Sequence, residues 1–498
     1  MVVIAVLVGA LGGAQAEAAP VIEVHGGRAV RIDDPFVPAR SASHPRPPRV
    51  RGARAGAARS AAASSARGRR AVRRALVQAV RKRKVRRSSS RRWRRGYAAA
   101  RRTVRRLSGA RRAQLAYVIR SVERLALSRR LNASRMPVAF IQLERNRRYW
   151  RSLPYPASGD RVSFAGSEIL FEYFPGRGLQ LHPLSTFKKA NLIHGACVRE
   201  ESGCDRGALA TLLDEMERLA VRRARSFIAW EYMFDFGGGA PPWISGMAEA
   251  TAIQAFARAA DLLDQPRYVK TARRALGAFA TLPPVGVRAV GPAGGIHYLQ
   301  YSFAPRLWIF NAFLQSLIGL HDYAELTGNE RARKLFDDAE PEAREELPFS
   351  DVGDWSRYSY RGAESSRDYH ELLREFLQSM CNRRLGRPYC TYARRYRGYQ
   401  TDPPVLKLNV PGLTRKGDLT AIRFRVSKLS AVEVTISKGQ KVALNKIGTF
   451  RRGSGSFLWR PRSRGLYTVR LGAKELRTGL GLKDRGTTEI EVEPDPDA

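Results

Sequence analysis

The sequence predicts a mainly α protein: an α/α barrel (toroid) of helical hairpins with short β-structure on its N-terminal side, followed by a C-terminal antiparallel β-sandwich. Three observations predict it. Between about residues 185 and 385, apolar residues recur at helical spacing in paired segments, some apolar nearly all round and some with a charged face. Between 403 and 498, seven short alternating runs are separated by Gly, Pro, Lys and Asp clusters. With 498 residues, of which 44% are hydrophobic, the chain can build about three domains and bury a large core, which excludes fibrous, collagen-like and wholly disordered classes.

The first element is a leader. MVVIAVLVGALGGAQAEAAP pairs an apolar run with the small residues Ala14, Ala16, Ala18 and Ala19, so residues 1–19 read as a signal peptide cleaved after Ala16 or Ala19, although the usual positive n-region is missing. The expected location is secreted or cell-surface. No apolar run reaches the roughly 18 residues of a membrane-spanning helix. Export makes the disulfides Cys197–Cys204 and Cys381–Cys390 the expected use of the four cysteines. A four-cysteine zinc site is the rival, weakened by the lack of CxxC spacing.

The net charge of +43 is unevenly placed: residues 41–130 hold 30 Lys/Arg against the single acid Glu123, leaving 58 against 44 elsewhere. Residues 20–112 read as a basic, Arg/Ser/Ala-rich disordered segment, because so few aromatics cannot bury enough apolar area to offset chain entropy. The run RKRKVRRSSSRRWRRG (81–96) suits an anionic partner. For an exported chain that partner is an anionic wall polymer, surface or acidic glycan rather than nucleic acid; a solvated linker is the plain alternative. From Arg101 to Leu131 the apolar spacing is partly helical, leading into a barrel domain over 113–402.

Within that domain, Phe164 to Phe174 alternates like short strands and is broken by Pro175-Gly176 and Gly178. Helical segments follow at 185–196, 207–234, 243–263, 267–281, 305–327, 329–347 and 367–385. In 305–327, Pro305 fits a first turn and Gly328 a C-terminal stop. Pro341 should split 329–347. The connections 237–246, 283–302 and 349–370 are long and rich in Gly, Pro and aromatics, which marks them as functional loops. The tail, 403–498, reads as an immunoglobulin- or fibronectin-like sandwich without a catalytic constellation.

Phosphate-binding Gly-rich loops, HExxH and a nucleophile elbow are all missing. What remains is tyrosine in polar loops, namely Tyr298, Tyr301, Tyr358, Tyr360 and Tyr369, beside Arg306, Arg357, Arg367 and His370. A phenol can serve as acid, or as base when cations lower its pKa. The same residues can equally stack on sugars or plug a core.

YLQYSFAPRLWIFNAFLQSLIGLHDY (298–323), WISGMAEATAIQAFARA (243–259), FEYFPGRGLQLHPLSTFKKAN (171–191) and DVGDWSRYSY…SSRDYH (351–370) resemble the heparosan-type D-glucuronyl C5-epimerases and their bacterial relatives. The resemblance covers about 140–385. It implies an α/α barrel combined with β-structure, and a reaction that inverts C5 of glucuronic acid within a polysaccharide without a cofactor. By that resemblance the proton-transfer tyrosines fall on Tyr301, Tyr358 and Tyr369, and Gln180 on a glutamine that holds the sugar. The doubly charged intermediate needs cations or donors, for which Arg306, Arg367 and His370 are candidates. Trp243 belongs to the same matched stretches. Two departures stand out. Gln300 replaces the family glutamate before the first tyrosine, and Glu249-Ala250-Thr251 replaces glutamine-glycine-glutamine, so Glu249 is expected to supply a compensating carboxylate. A polysaccharide lyase, which shares the first half-reaction, and a non-catalytic glycan- or wall-binding protein are the competing readings. Asp351 and Asp354 with nearby carbonyls are a minor candidate for a calcium ion.

Overall fold

The computed structural model describes residues 18–38, 64–224, 226–482 and 486–494. The expected leader therefore lies outside the described residues apart from Ala18 and Ala19, and so do residues 39–63 of the basic segment. The chain forms two compact units, Met1–Glu346 and Leu347–Ala498.

In the first unit, β1 (Ala18–His25) and β2 (Arg28–Pro38) form a hairpin turned on Gly26 and Gly27, both at positive φ (48° and 97°). β1 then pairs in parallel with β3 (Arg161–Phe164), which continues through β4 (Ser167–Phe174) and β5 (Gly178–Leu181) into one sheet of order β2-β1-β3-β4-β5. Val21, Val24 and Val37 are buried. The start of the expected disordered segment is thus an edge of this sheet.

Much of the rest of that segment is helical as well. α1 (Ser64–Arg81) and α2 (Arg87–Arg106) precede α3 (Gly109–Leu127) and α4 (Met136–Trp150). The expectation of disorder fails because Ala and Arg are both good helix formers, and each basic helix keeps one narrow apolar stripe. Val72, Leu76 and Ala79 of α1, and Tyr97 and Ala100 of α2, are buried. α1 packs on α3 and α2 on α4. Trp93 stacks on Phe140 at 5.4 Å, and Glu123, the lone acid, is buried with its carboxylate accepting from the Tyr97 hydroxyl. Arginine stems cover apolar surface while their heads stay wet.

The helical body continues with α5 (Pro183–Val198) and α6 (Arg206–Leu219). The expected helix over 207–234 ends at Leu219. Ala220 turns extended, and β6 (Val221–Arg223) and β7 (Phe227–Ala229) form a small hairpin rich in residues that favour strands. Next come α7 (Gly246–Leu262), α8 (Pro266–Ala275) and α9 (Gly277–Ala280). β8 (Arg288–Val290) and β9 (Ile296–Tyr298) make a hairpin inside the loop expected at 283–302. α10 (Phe310–Thr327) starts later than expected and leaves Pro305 outside, but ends as expected on left-handed Gly328 (φ 64°). α11 (Glu330–Asp337) and α12 (Glu340–Ser350) are separated just before Pro341.

α7, buried on nearly every side, lies between α5 and α10. Gly319 allows the close approach of α10: a Cβ there would stand 2.5 Å from the Ala250 carbonyl oxygen. α6 lies against α5, α8 against α7 and α11 against α10. The Cys197–Cys204 disulfide forms in this unit and Cys381–Cys390 in the second.

The second unit holds α13 (Arg367–Asn382) and the unexpected α14 (Arg387–Thr401), then eight strands. The seven expected strands all form. They are β10 (Leu406–Asn409), β12 (Thr420–Val426), β13 (Ser430–Lys438), β14 (Lys441–Phe450), β15 (Gly453–Trp459), β16 (Gly465–Glu475) and β17 (Gly486–Glu493), with β11 (Leu413–Arg415) in addition. A three-stranded sheet, β10-β12-β15, and a five-stranded sheet, β11-β17-β16-β13-β14, share one apolar core containing Phe424, Trp459, Val434, Val469 and Ile490. β11 pairs parallel to β17, so the second sheet is not purely antiparallel as expected.

The unit begins well before the boundary expected at 402/403, because polar ties join 351–366 and α14 to the strands. Lys428 donates to the carbonyls of Tyr399 (2.8 Å) and Asp402 (2.5 Å), and Leu429 N–H donates to Asp354 (3.0 Å). Arg477 pairs with Asp354, with Glu475 at 2.7 Å and with Glu364 at 3.1 Å, while only 13% exposed. Removing one member of such a cluster leaves carboxylates buried and uncompensated. Arg477→Met should destabilise the second unit by about 3–5 kcal/mol, measured as a shift of its denaturant midpoint in the full chain.

Candidate active site

In the first unit the site grows from an aromatic nest. Residues 230–243 fold back so that Tyr232 and Trp243 pair through their backbones, with N···O distances of 2.8 and 3.2 Å, and their rings stack at 4.1 Å and 3°. The Trp243 indole N–H donates to the Phe234 carbonyl (2.9 Å), and the Tyr232 hydroxyl accepts from Leu184 N–H (3.3 Å). Burial pushes the Tyr232 phenol well above its ordinary pKa. The segment 299–302 is then laced to 244–246: Gly246 N–H donates to Leu299 O (2.9 Å), Ser302 N–H to Ile244 O (3.0 Å) and Ile244 N–H to Ser302 Oγ (3.1 Å).

That lacing delivers Tyr301 into the nest. Its ring stands 5.6 Å from both Phe236 and Trp243 and 5.4 Å from Phe303, with 8% of the residue exposed. The structure therefore brings Tyr301, Trp243 and Gln300 together. The Gln300 amide oxygen accepts from Ser245 Oγ at 3.3 Å. Trp243 lies inside the aromatic cluster, 3% exposed, not spread as a sugar-stacking face. Arg306 is exposed and has no hydrogen-bond or ion-pair partner among the described residues.

Two expected site residues are placed differently. Glu249 is fully buried, accepts Trp230 N–H at 2.8 Å through Oε1, and is raised well above the usual carboxylate range by desolvation. It is a desolvated packing group in which burial disfavours the charged carboxylate expected. Gln180, also fully buried, accepts from Gln142 Nε2 (2.6 Å) and donates to the Arg177 carbonyl (2.5 Å), so its amide is engaged within β5 and α4. Of the other singled-out tyrosines here, Tyr298 is a core plug whose hydroxyl donates to Leu335 O (2.6 Å).

Sequence reading missed the supports of this loop. The Glu342 carboxylate accepts from Ala293 N–H (2.9 Å) and Gly295 N–H (2.6 Å), and Glu346 bonds His297 Nδ1 at 2.7 Å. Desolvation raises the Glu346 carboxyl above its ordinary range. It also missed His182, which meets the Tyr232 ring edge-on at 5.6 Å and lies 3.4 Å from Glu172, itself paired with Arg161. The only signal was the position of His182 in GLQLHP.

In the second unit the connection 351–366 is stapled by Ser365 N–H to Ser356 O (2.8 Å) and Tyr358 N–H to Ala363 O (3.1 Å). It presents Tyr358 against Tyr369 of α13, edge to face at 4.8 Å, both half-buried. Arg367 is exposed at the start of α13. Tyr360 lies edge-on to Phe349 with Arg361 over its ring, a packing role. Asp351 is taken by Arg395 (2.8 Å) and the Tyr399 hydroxyl (2.9 Å), and Asp354 by Arg477, which leaves neither for calcium. Among the described residues no group of three or more His, Cys, Asp or Glu is arranged to hold a metal ion.

His370 is not the cation expected. It is fully buried and stacks on Trp355 at 3.8 Å, between Ser356 Oγ at Nδ1 (2.8 Å) and Tyr396 O at Nε2 (3.0 Å). A carbonyl can only accept, so Nε2 carries the proton and Nδ1 accepts from Ser356. Desolvation lowers its pKa to about 4. Because the folded value lies below the unfolded one near 6.5, the folded form binds fewer protons, and stability falls as pH drops from about 6.5 towards 4. The loss reaches about 3 kcal/mol. His370→Gln should flatten this part of the pH dependence, read from unfolding midpoints of both proteins at pH 7 and pH 4.5; His194, also lowered to about 4 by burial, stays unchanged in the comparison.

A family model described as D-glucuronyl C5-epimerase C-terminus matches residues 224–398. An uncharacterised protein of Methanocaldococcus jannaschii is 24% identical over 178 residues, covering 34% of this chain and 58% of that protein. The D-glucuronyl C5-epimerase of Caenorhabditis elegans is 29% identical over 133 residues, covering 24% of this chain and 22% of that protein. The chain thus spans less than two thirds of either relative. Among solved structures, cellobiose 2-epimerase from Bacillus thermoamylovorans B4167 aligns over 58% of this chain and 74% of its own, at 9% identity and a TM-score of 0.34. The segment that matches the D-glucuronyl C5-epimerase C-terminus model, 224–398, holds Tyr301, Tyr358 and Tyr369.

Proposed function

We propose that this chain is an exported uronyl C5-epimerase that converts D-glucuronic to L-iduronic acid residues within a polysaccharide. The observation that carries the reading is the family match over a segment containing all three tyrosines, with Tyr301 held in a nest laced together by backbone hydrogen bonds. The C5–H bond breaks towards a phenolate, and its electron pair moves into the adjacent carboxylate. A phenol on the opposite face returns a proton to C5, and no net electron or proton is consumed. By the resemblance, Tyr301, Tyr358 and Tyr369 are the candidates for the transfer groups. Arg306 and Arg367 are exposed and are each a candidate cation for a substrate carboxylate, whose two oxygens a guanidinium fork suits.

The same reading takes α5 to α12 as the hairpin layers of an α/α barrel. The contrast between buried α7 and α10 and half-exposed α8 and α11 supports it. The leader-like 1–19 and the two disulfides support export. Cleavage after Ala16 leaves β1 whole, and the intact mass of the secreted protein should report that start.

In deuterated water, incubation with heparosan should place deuterium at C5. Tyr301→Phe should cut that exchange by about 10²–10⁴-fold, and cost stability no more than one hydrogen bond, about 1 kcal/mol. Absence of exchange on every glucuronate polymer tested defeats the reading. A new 4,5-double bond absorbing in the ultraviolet assigns the chain to lyases instead.

A further inference from the structure

We propose that the groove between α1 and α2 is a binding site for a carboxylated polysaccharide chain, separate from the tyrosine loops. The groove encloses about 510 Å³ and is lined by Arg69, Arg73, Arg94, Arg101, Arg102 and Arg105. Its floor is apolar, formed by buried Val72, Leu76 and Tyr97. Five of these arginines are exposed, and among the described residues only Arg101 has an acidic ion-pair partner, Glu123 at 3.8 Å. Residues 35–122 contain no Asp or Glu at all, so this ridge has no acid of its own stretch to pair with.

The arrangement is costly unless something anionic lies in it. Arg69 and Arg73, and Arg101 and Arg105, stand at i,i+4 on their helices, where like charges destabilise by a few tenths of a kcal/mol per pair. From Arg94 to Arg105 the row runs about 16 Å along α2 at 1.5 Å per residue, long enough to follow several sugar rings. Within residues 64–112 the basic residues are 19 Arg against 2 Lys. That bias favours planar two-oxygen anions, which the guanidinium fork binds bidentately, over a diffuse attraction that Lys would serve as well. A nucleic acid fits less well. Single strands are held by exposed aromatic platforms, whereas Tyr97 is buried and Trp93 is stacked on Phe140.

The ligand class rests on the proposed epimerase reading, since a polymer carrying one carboxylate per glucuronate is its substrate. The groove would hold that polymer beyond the reacting sugar and so keep the chain engaged between reaction events.

The test is heparosan binding to the full chain by titration calorimetry at low and at physiological salt. The variant Arg69→Gln/Arg73→Gln/Arg94→Gln/Arg102→Gln should bind about tenfold or more weakly and lose much of the salt dependence. A control that removes the same charge outside the groove, Arg81→Gln/Arg83→Gln/Arg86→Gln/Arg87→Gln, should lose far less. The groove variant should melt no lower than the parent, because like-charge pairs are removed. Tyr301→Phe should bind as the parent does, so a failure of catalysis and a failure of the groove read separately. Equal losses in the two arginine variants, or tighter binding of duplex DNA than of heparosan at matched charge, overturn the proposal.

Discussion

The face-to-face contact of Trp243 with Tyr232 is the constraint on which the first-unit site depends. Two rings 4.1 Å apart and nearly parallel cannot slide freely, because each polar end is tied: the indole to Phe234 O and the phenol to Leu184 N–H. Their backbones are paired as well, so the strand-like segments 230–234 and 243–246 move as one. The segment carrying Tyr301 is bonded to the second of these through Gly246, Ser302 and Ile244. Tyr301 therefore inherits its place from a stack it does not itself belong to. Close packing with Phe236 and Phe303 fixes the ring, since an interior near crystal density has no slack for it to tilt into.

Buried ionisable groups in this framework are either paired or pushed by desolvation away from their charged form. Glu231 lies between Arg135 (2.6 Å) and Arg223 (2.5 Å) and ties α4 to the β6–β7 hairpin. Glu249 accepts one backbone N–H, from Trp230, and desolvation pushes its carboxyl well above the usual range. His370 gives up its charge to fit between a hydroxyl and a carbonyl. A buried charge without a partner costs several kcal/mol, so such residues serve the scaffold. Arg306 and Arg367 are instead exposed, and the attraction of an exposed guanidinium for an anion is weak in water and grows as solvent is excluded.

Sequence periodicity located α5, α7, α8, α10 and α13, and all seven of the runs expected as strands, because burial on one or all faces writes itself into spacing. It failed where composition misled. α1 and α2 carry stripes of only a few buried residues under a dense cover of arginine, and their low apolar content was read as disorder. The hairpin at 221–229 was hidden by helical-looking flanks. The motifs that carry the resemblance single out Tyr301, Tyr358 and Tyr369 as candidates. The same motifs could not tell that Gln180, Glu249 and His370 face inward, because burial of a polar side chain depends on partners distant in sequence, such as Gln142, Trp230 and Tyr396.

The two departures from the family pattern acquire a common meaning in this geometry. Glu249 stands in the first turn of α7, where the helix dipole favours a negative carboxylate, yet burial pushes its pKa well above the usual carboxylate range. Gln300 holds the position of a family glutamate with an uncharged amide that accepts from the α7 N-cap, Ser245. Gln300, next to Tyr301 in the chain, thus carries no charge, and burial disfavours the charged form of Glu249. Under the proposed reading the substrate brings its own carboxylate, and the intermediate adds a second charge to it. A protein carboxylate about 6 Å away would oppose that by about 3 kcal/mol at an effective dielectric near 20. Exchanging it for an amide removes the repulsion and with it a group that could raise the basicity of the phenol. Proton abstraction then depends more heavily on cations that stabilise the phenolate and the intermediate together, which assigns to the exposed arginines a larger share of the chemistry than the family pattern would give them.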